Sequence, residues 1–139
     1  MVWNPEFLRE GFAVQDTLHP DRIVYGLPDD PTRAELATKI MDDCYRQLLN
    51  EQIPRLTTNY ATAELVKVAA NSFLATKISF INAMAELCDA TGGDVTELAH
   101  AIGFDPRIGN KFLRAGIGFG GGCLPKDCLL YTSDAADEE

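Results

Sequence analysis

Residues 62–90 read TAELVKVAANSFLATKISFINAMAELCDA, a run with no Gly and no Pro. Gly92-Gly93 follows as a stop signal. The run predicts one long helix from about Thr62 to Ala90, roughly 40 Å in length at 1.5 Å per residue. Leu65, Val66, Val68, Phe73, Leu74, Ile78, Phe80, Ile81, Met84 and Leu87 wrap more than one side of it. Such a helix needs cover on more than one side. Few other helices are available, so a contact with a second copy of the chain is expected. Ala69, Ala70, Ala75, Ala83 and Ala85 leave room for close approach. On this helix Lys67 and Asn71 are four apart and share a face. An ammonium and an amide aimed together can hold a hydroxyl or a developing oxyanion.

Working back from the helix, Arg22 to Gly26 is rich in β-branched residues and reads as a short strand. Asp30-Pro31 fits an N-cap followed by Pro at the first helical position. Leu36, Ile40, Met41, Cys44, Leu48 and Leu49 then recur at helical spacing, predicting one amphipathic helix to about Asn50 with Cys44 in the core. Ile53–Thr57 reads as a second short strand, kept to an edge by Pro54. Before these, Asn4-Pro5 and Gly11 punctuate a loop. One helical turn there would put Glu6 and Glu10 on one side, with Arg9 between them. Paired carboxylates do acid–base work where water is excluded.

Working forward, Asp94 to Glu97 is a capping-box-like start, and Gly103 ends the helix it opens. Asp105-Pro106 predicts a further short helix by the same signals as Asp30-Pro31. Arg107, Lys111 and Arg114 then lead into a Gly-rich stretch, a cationic environment suited to a diphosphate. That stretch ends Phe119-Gly120-Gly121-Gly122-Cys123-Leu124-Pro125-Lys126-Asp127. The glycines let backbone approach a bound molecule closely. Pro125 suits the first turn of a helix with Lys126 and Asp127 inside it. A thiol at a helix start beside a cation is favoured as thiolate, its nucleophilic form.

The chain has 139 residues and a net charge of −9, from 12 basic and 21 acidic side chains. That balance argues against nucleic acid and against an anionic membrane surface. Lys67, Asn71, Lys77, Asn82 and Glu86 interrupt the longest apolar helix, so no membrane span is expected. Four Cys without a CxxC pattern, and no basic-then-apolar leader, read as reduced thiols in the cytoplasm. His19 and His100 stand far from each other and from any Cys pair, so no metal site is expected. Gly116-x-Gly118-x-Gly120-Gly121 lacks the preceding strand of a dinucleotide fingerprint.

Five stretches in order carry a resemblance: residues 4–11, 19–24, 63–71, 105–109 and 119–127. Together they closely resemble the UDP-glucose/GDP-mannose dehydrogenase family over about residues 3–127. The resemblance implies oxidation of the C6 alcohol of a nucleotide sugar to a carboxylate with two NAD⁺ and one water. The Glu10-Gly11 junction and the 123–127 ending resemble the members that act on UDP-glucose. A UDP-N-acetylhexosamine or GDP-mannose is the alternative, as is a non-catalytic helical dimerisation module. By position, Cys123 would trap an aldehyde, Glu6 and Lys67 would serve as acid–base and oxyanion groups, and Asn71 and Asp127 would hold water. Phe7, Leu8, Arg9, Glu10, Lys67, Asn71, Phe112, Leu113, Arg114, Ala115, Gly116 and Gly120 would meet the substrate. Glu10 and Lys126 would touch NAD. Arg107 would reach a neighbouring subunit's site, in keeping with a homodimer.

The fold the resemblance implies is mostly α: the end of an α/β Rossmann-like domain over 1–57, then an all-α central domain with one long helix over 58–127. Residues 128–139 depart from the family's apolar periodicity and read as a foreign acidic tail. Family members carry a dinucleotide-binding part before this region and a third domain after it. The chain is therefore expected to be a fragment, inactive alone.

Overall fold

The computed structural model describes residues 1–118 and 122–127. Among the described residues helices dominate, with one two-stranded parallel sheet. The elements are α1 (Ala13–Leu18), β1 (Ile23–Leu27), α2 (Pro31–Cys44), α3 (Arg46–Asn50), β2 (Arg55–Asn59), α4 (Tyr60–Thr91) and α5 (Val95–Gly103). They form two compact units, Met1–Val68 and Ala69–Glu139.

In the first unit β1 pairs in parallel with β2, Ile23 opposite Arg55 and Leu27 opposite Asn59. Parallel strands need a long crossover, here α2 and α3. Trp3 adds an antiparallel bridge to Gly26, its N–H donating to the Gly26 carbonyl at 2.9 Å and its carbonyl accepting from the Gly26 N–H at 2.7 Å. Ile23, Val24 and Tyr25 are all buried, so both faces of β1 are covered. Gly26 is required by space: a Cβ there would stand 2.7 Å from the Ala63 Cβ and 3.0 Å from that of Trp3. The second strand starts at Arg55, two residues later than the expected Ile53–Thr57, so Pro54 lies before it, its carbonyl accepting from the Ile23 N–H.

Three expectations for this unit change. The 31–50 stretch is two helices, because Tyr45 leaves helical geometry (φ −98°, ψ 15°) and the ladder restarts after it. Cys44 is exposed, not core, and α2 buries no residue. Two strands about 4.8 Å apart are narrower than a helix with its side chains, about 10 Å, so they cannot cover its apolar stripe. Residues 4–11 are a loop closed by a turn at Glu10-Gly11, with Gly11 at φ +80°, so Glu6 and Glu10 do not share a helical face. Helix α1 was not foreseen.

In the second unit α4 ends as its sequence demands. Gly92 takes φ +78°, and the Gly93 N–H reaches back to the Cys88 carbonyl at 2.9 Å, closing the last turn. Asp94 then caps α5, one carboxylate oxygen accepting from Thr96 N–H at 2.7 Å and Glu97 N–H at 3.1 Å. Those two bonds hold the Asp94 carboxyl below its usual range. Ile81, Ala99 and Leu113 form the core, with Met84, Val95, Leu98, Ile102 and Ala115 around them. The helix expected at Asp105-Pro106 is instead a turn. Asp105 takes the Arg107 N–H at 2.9 Å on its own carboxylate and the Gly109 N–H at 2.9 Å on its carbonyl, but Gly109 turns to φ +67° and the helix does not propagate. Among the described residues no helix is long and apolar enough to cross a membrane.

Candidate functional site

The first unit builds a lysine–carboxylate pair. β2 runs directly into α4, which carries Lys67 to the loop at residues 4–9. The Lys67 Nζ donates to the Glu6 carbonyl at 2.7 Å and makes a close bond to the Glu6 carboxylate. The other carboxylate oxygen accepts from Leu8 N–H at 2.7 Å. The Lys67 bond, and then the Leu8 bond, hold the Glu6 carboxyl below its ordinary value. Lys67 is thus neither a freely solvated lysine nor a buried one: its side chain is 30% exposed.

Beside this pair lies a cleft of about 280 Å³, lined by Glu6, Phe7, Leu8, Arg22 and Tyr45 among others. Phe7 is half-buried under Arg22, whose guanidinium carbon stands 3.9 Å from the ring centre. Leu8 is exposed. Arg9 does not lie between two carboxylates of the loop. It forks onto Asp16 of α1, its Nη2 2.5 Å from one oxygen and its Nε 2.9 Å from the other. That bidentate bond brings the Asp16 carboxyl down to about 2. Glu10 stands exposed at the turn.

The second unit builds an amide–carboxylate pair. Residues 123–127 form a helical turn, as Pro125 predicts. Asp127 closes it and is 4% exposed. Its carboxylate accepts from the Asn71 side-chain amide at 2.7 Å, and its carbonyl accepts from Ser72 Oγ at 3.1 Å. Two consecutive residues of α4 therefore fasten the turn whose first residue is Cys123. The Cys123 thiol is unpaired and exposed. Lys126 points to solvent, its ammonium 3.6 Å from Asp127.

The 112–116 segment is also placed from α4. Phe112 takes φ +64°, a left-handed setting that costs a bulky residue about 1–2 kcal/mol. After it, the Leu113 side chain enters the core and Arg114 turns outward. Leu113 thus offers a ligand only its backbone. Ala115 packs on the core, and the Gly116 N–H donates to Asn82 Oδ1 at 2.9 Å. Arg107 extends into solvent with only its neighbour Asp105 as partner among the described residues, at 2.5 Å. Gly120 lies outside the described residues.

Ser72, Asp16 and Tyr45 were not singled out in the sequence. Asn82 and Lys77 carried a signal, being polar on an apolar helix; Lys77 donates to the Ile108 carbonyl at 3.0 Å. Among the described residues no cluster of His, Cys, Asp and Glu is arranged to hold a metal ion.

Residues 61–139 match the central domain of the UDP-glucose/GDP-mannose dehydrogenase family, and residues 1–49 match its NAD binding domain. A UDP-glucose 6-dehydrogenase from Rickettsia typhi is 52% identical over 94% of this chain. This chain covers 29% of that enzyme, so it spans under a third of its length. A solved UDP-glucose dehydrogenase from Pyrobaculum islandicum superposes over 98% of this chain and 30% of its own, with a TM-score of 0.82 at 41% identity. A GDP-mannose dehydrogenase from Pseudomonas aeruginosa, solved as a ternary complex, covers 99% of this chain and 31% of its own, with a TM-score of 0.66 at 32% identity. With the central-domain match alone extending over more than half its length, the chain belongs to the UDP-glucose/GDP-mannose dehydrogenase family.

Proposed function

We propose that the protein containing this chain oxidises the C6 alcohol of UDP-glucose to UDP-glucuronate in two hydride transfers through a thiol of Cys123. The observation that carries the reading is the fastening of the 123–127 turn. Asp127, buried, is held by Asn71 and Ser72, and it fixes one turn away an exposed cysteine. A structural cysteine has no need of such a seat.

The chemistry follows from the residue types. A base takes the alcohol proton as hydride leaves C6, giving an aldehyde. The Cys123 thiolate adds to the aldehyde carbon, and the resulting oxyanion is stabilised by the Lys67 ammonium and the Asn71 amide. Loss of a second hydride from the same carbon gives a thioester. Water hydrolyses it, with Glu6 as an acid–base group and Asn71 and Asp127 as the groups proposed to hold water, returning thiol and carboxylate. NAD⁺, when bound, supplies the acceptor for each hydride. Glu10 and Lys126 fit such a group by donor chemistry: both are exposed, one an acceptor for hydroxyls or amides, the other a cation for phosphate or carbonyl oxygens. Phe7 to Glu10, Phe112 to Gly116 and Gly120 would bind the nucleotide sugar.

The full-length protein is expected to form two NADH per acid from UDP-glucose. Absorbance at the nicotinamide band with product chromatography measures the ratio. Preference for GDP-mannose or a UDP-N-acetylhexosamine would correct the hexose. No NADH from any of the three would leave a non-catalytic helical module.

A homodimer through α4 completes the proposal. Phe73, Phe80 and Leu87 are spaced by seven and are 66%, 48% and 54% exposed, one apolar stripe along the helix. Arg107, exposed, would then act in the neighbour's site. Light scattering of full-length protein should give twice the chain mass, and Phe80→Glu should give one chain mass. A monomeric parent would remove this part.

A further inference from the structure

We infer that Tyr45 is a positioning residue: its hydroxyl, acting through Asn4, fixes the loop that presents Glu6 to Lys67. The inference rests on the acid–base role given to Glu6 above. Tyr45 sits at the break between α2 and α3, where the chain abandons helical geometry. Its hydroxyl donates to Asn4 Oδ1 at 2.6 Å. The same amide donates from Nδ2 to the Val24 carbonyl at 2.8 Å. Both ends of Asn4 are therefore committed, one to the helix break and one to β1. The preceding residue, Trp3, is tied to Gly26 by a reciprocal pair of backbone bonds. Pro5 follows with a fixed φ and passes that placement to Glu6.

The other partner is positioned by the same sheet. β1 pairs with β2, and β2 continues without a loop into α4, which carries Lys67. Asn4 thus references Glu6, through β1, to the sheet that also sets Lys67. Tyr45 brings a side chain from the α2–α3 crossover to Asn4. Its ring packs against buried Tyr25, centroids 6.1 Å apart, so the hydroxyl is aimed by a rigid neighbour. A glutamate on a loop with Oε1 on an ammonium and Oε2 on a backbone N–H has little tolerance for displacement.

The test is a double-variant cycle in the full-length enzyme. Tyr45→Phe keeps the ring and its packing and removes only the hydroxyl. It is expected to lower kcat about two- to tenfold, the range of one neutral hydrogen bond, with KM for the nucleotide sugar unchanged. In a Glu6→Gln background the same substitution should cost nothing further, since the group it positions no longer exchanges protons. Equal losses in both backgrounds, tracking a lower melting temperature, would make Tyr45 merely structural and overturn the inference. So would wild-type kcat in Tyr45→Phe while Glu6→Gln is impaired, and that result leaves the role of Glu6 intact. An unimpaired Glu6→Gln would overturn both together.

Discussion

Cys123→Ser in the full-length enzyme is expected to abolish acid formation from UDP-glucose, by on the order of 10³-fold or more. The size follows from which step the sulfur serves. Sulfur is intrinsically a far better nucleophile toward a carbonyl carbon than a hydroxyl oxygen, and the Cys123 thiol is exposed. A serine hydroxyl needs a base to activate it before it can attack. The first hydride transfer needs no nucleophile, so the variant should still make aldehyde slowly. Chromatography should then show aldehyde-level product and one NADH per sugar at most. Cys44→Ser, a change at an exposed thiol in the first unit far along the sequence, should leave acid formation unaltered. Normal acid production by Cys123→Ser would refute the nucleophile assignment.

The helical half of the molecule was legible because its signals are local. A run without Gly or Pro, a Gly-Gly stop and an Asp cap dictate α4 and the start of α5 through backbone hydrogen bonds a few residues apart. Pro125 likewise announced the turn after Cys123. What failed depended on tertiary partners. Asp30-Pro31 and Asp105-Pro106 carry the same signals, yet only the first starts a helix. After Asp30 the chain has fourteen residues of helical spacing to propagate through. After Asp105, Gly109 arrives within a turn and takes φ +67°, a left-handed setting that ends helical geometry. The break at Tyr45 has no breaker residue, and the Tyr45 hydroxyl bonds Asn4, 41 positions away, a partner that sequence spacing does not show. The periodicity that put Cys44 in the core was real. It marks a face that two strands cannot cover.

For the candidate site the balance was similar. Lys67 and Asn71 declared themselves as polar residues on an apolar helix. Their partners did not, because Glu6 and Asp127 are each more than fifty residues from the group they bond. Spacing alone placed Glu6 with Glu10 and Arg9. The fold instead gives Arg9 to Asp16 and Glu6 to Lys67. Charge partners are chosen by geometry that sequence spacing does not encode.

Lys67→Met is expected to lower kcat by about 10²–10⁴-fold, the range for loss of an acid–base or oxyanion group. Its effect on stability should be small. Glu6 and Lys67 remain partly exposed, and an ion pair of that kind is worth about 1 kcal/mol at most. The sign of the pH dependence separates the two effects further. Lys67 depresses the Glu6 carboxyl below its ordinary value of 4.5, so the pair stabilises the fold at pH above that value. That contribution is lost as pH falls through the depressed folded value. With Met at 67 the principal cause of the depression is gone, and the Glu6 carboxyl should rise toward its ordinary range. Chemical denaturation between neutral and acid pH should then show a shallower loss of stability in the variant than in the parent. Methionine keeps the length and much of the apolar stem, so packing against the loop survives. A collapse of turnover with melting temperature nearly unchanged places Lys67 on the reacting atoms. A melting temperature that falls in step with activity would instead make the Glu6–Lys67 pair a clasp for the loop.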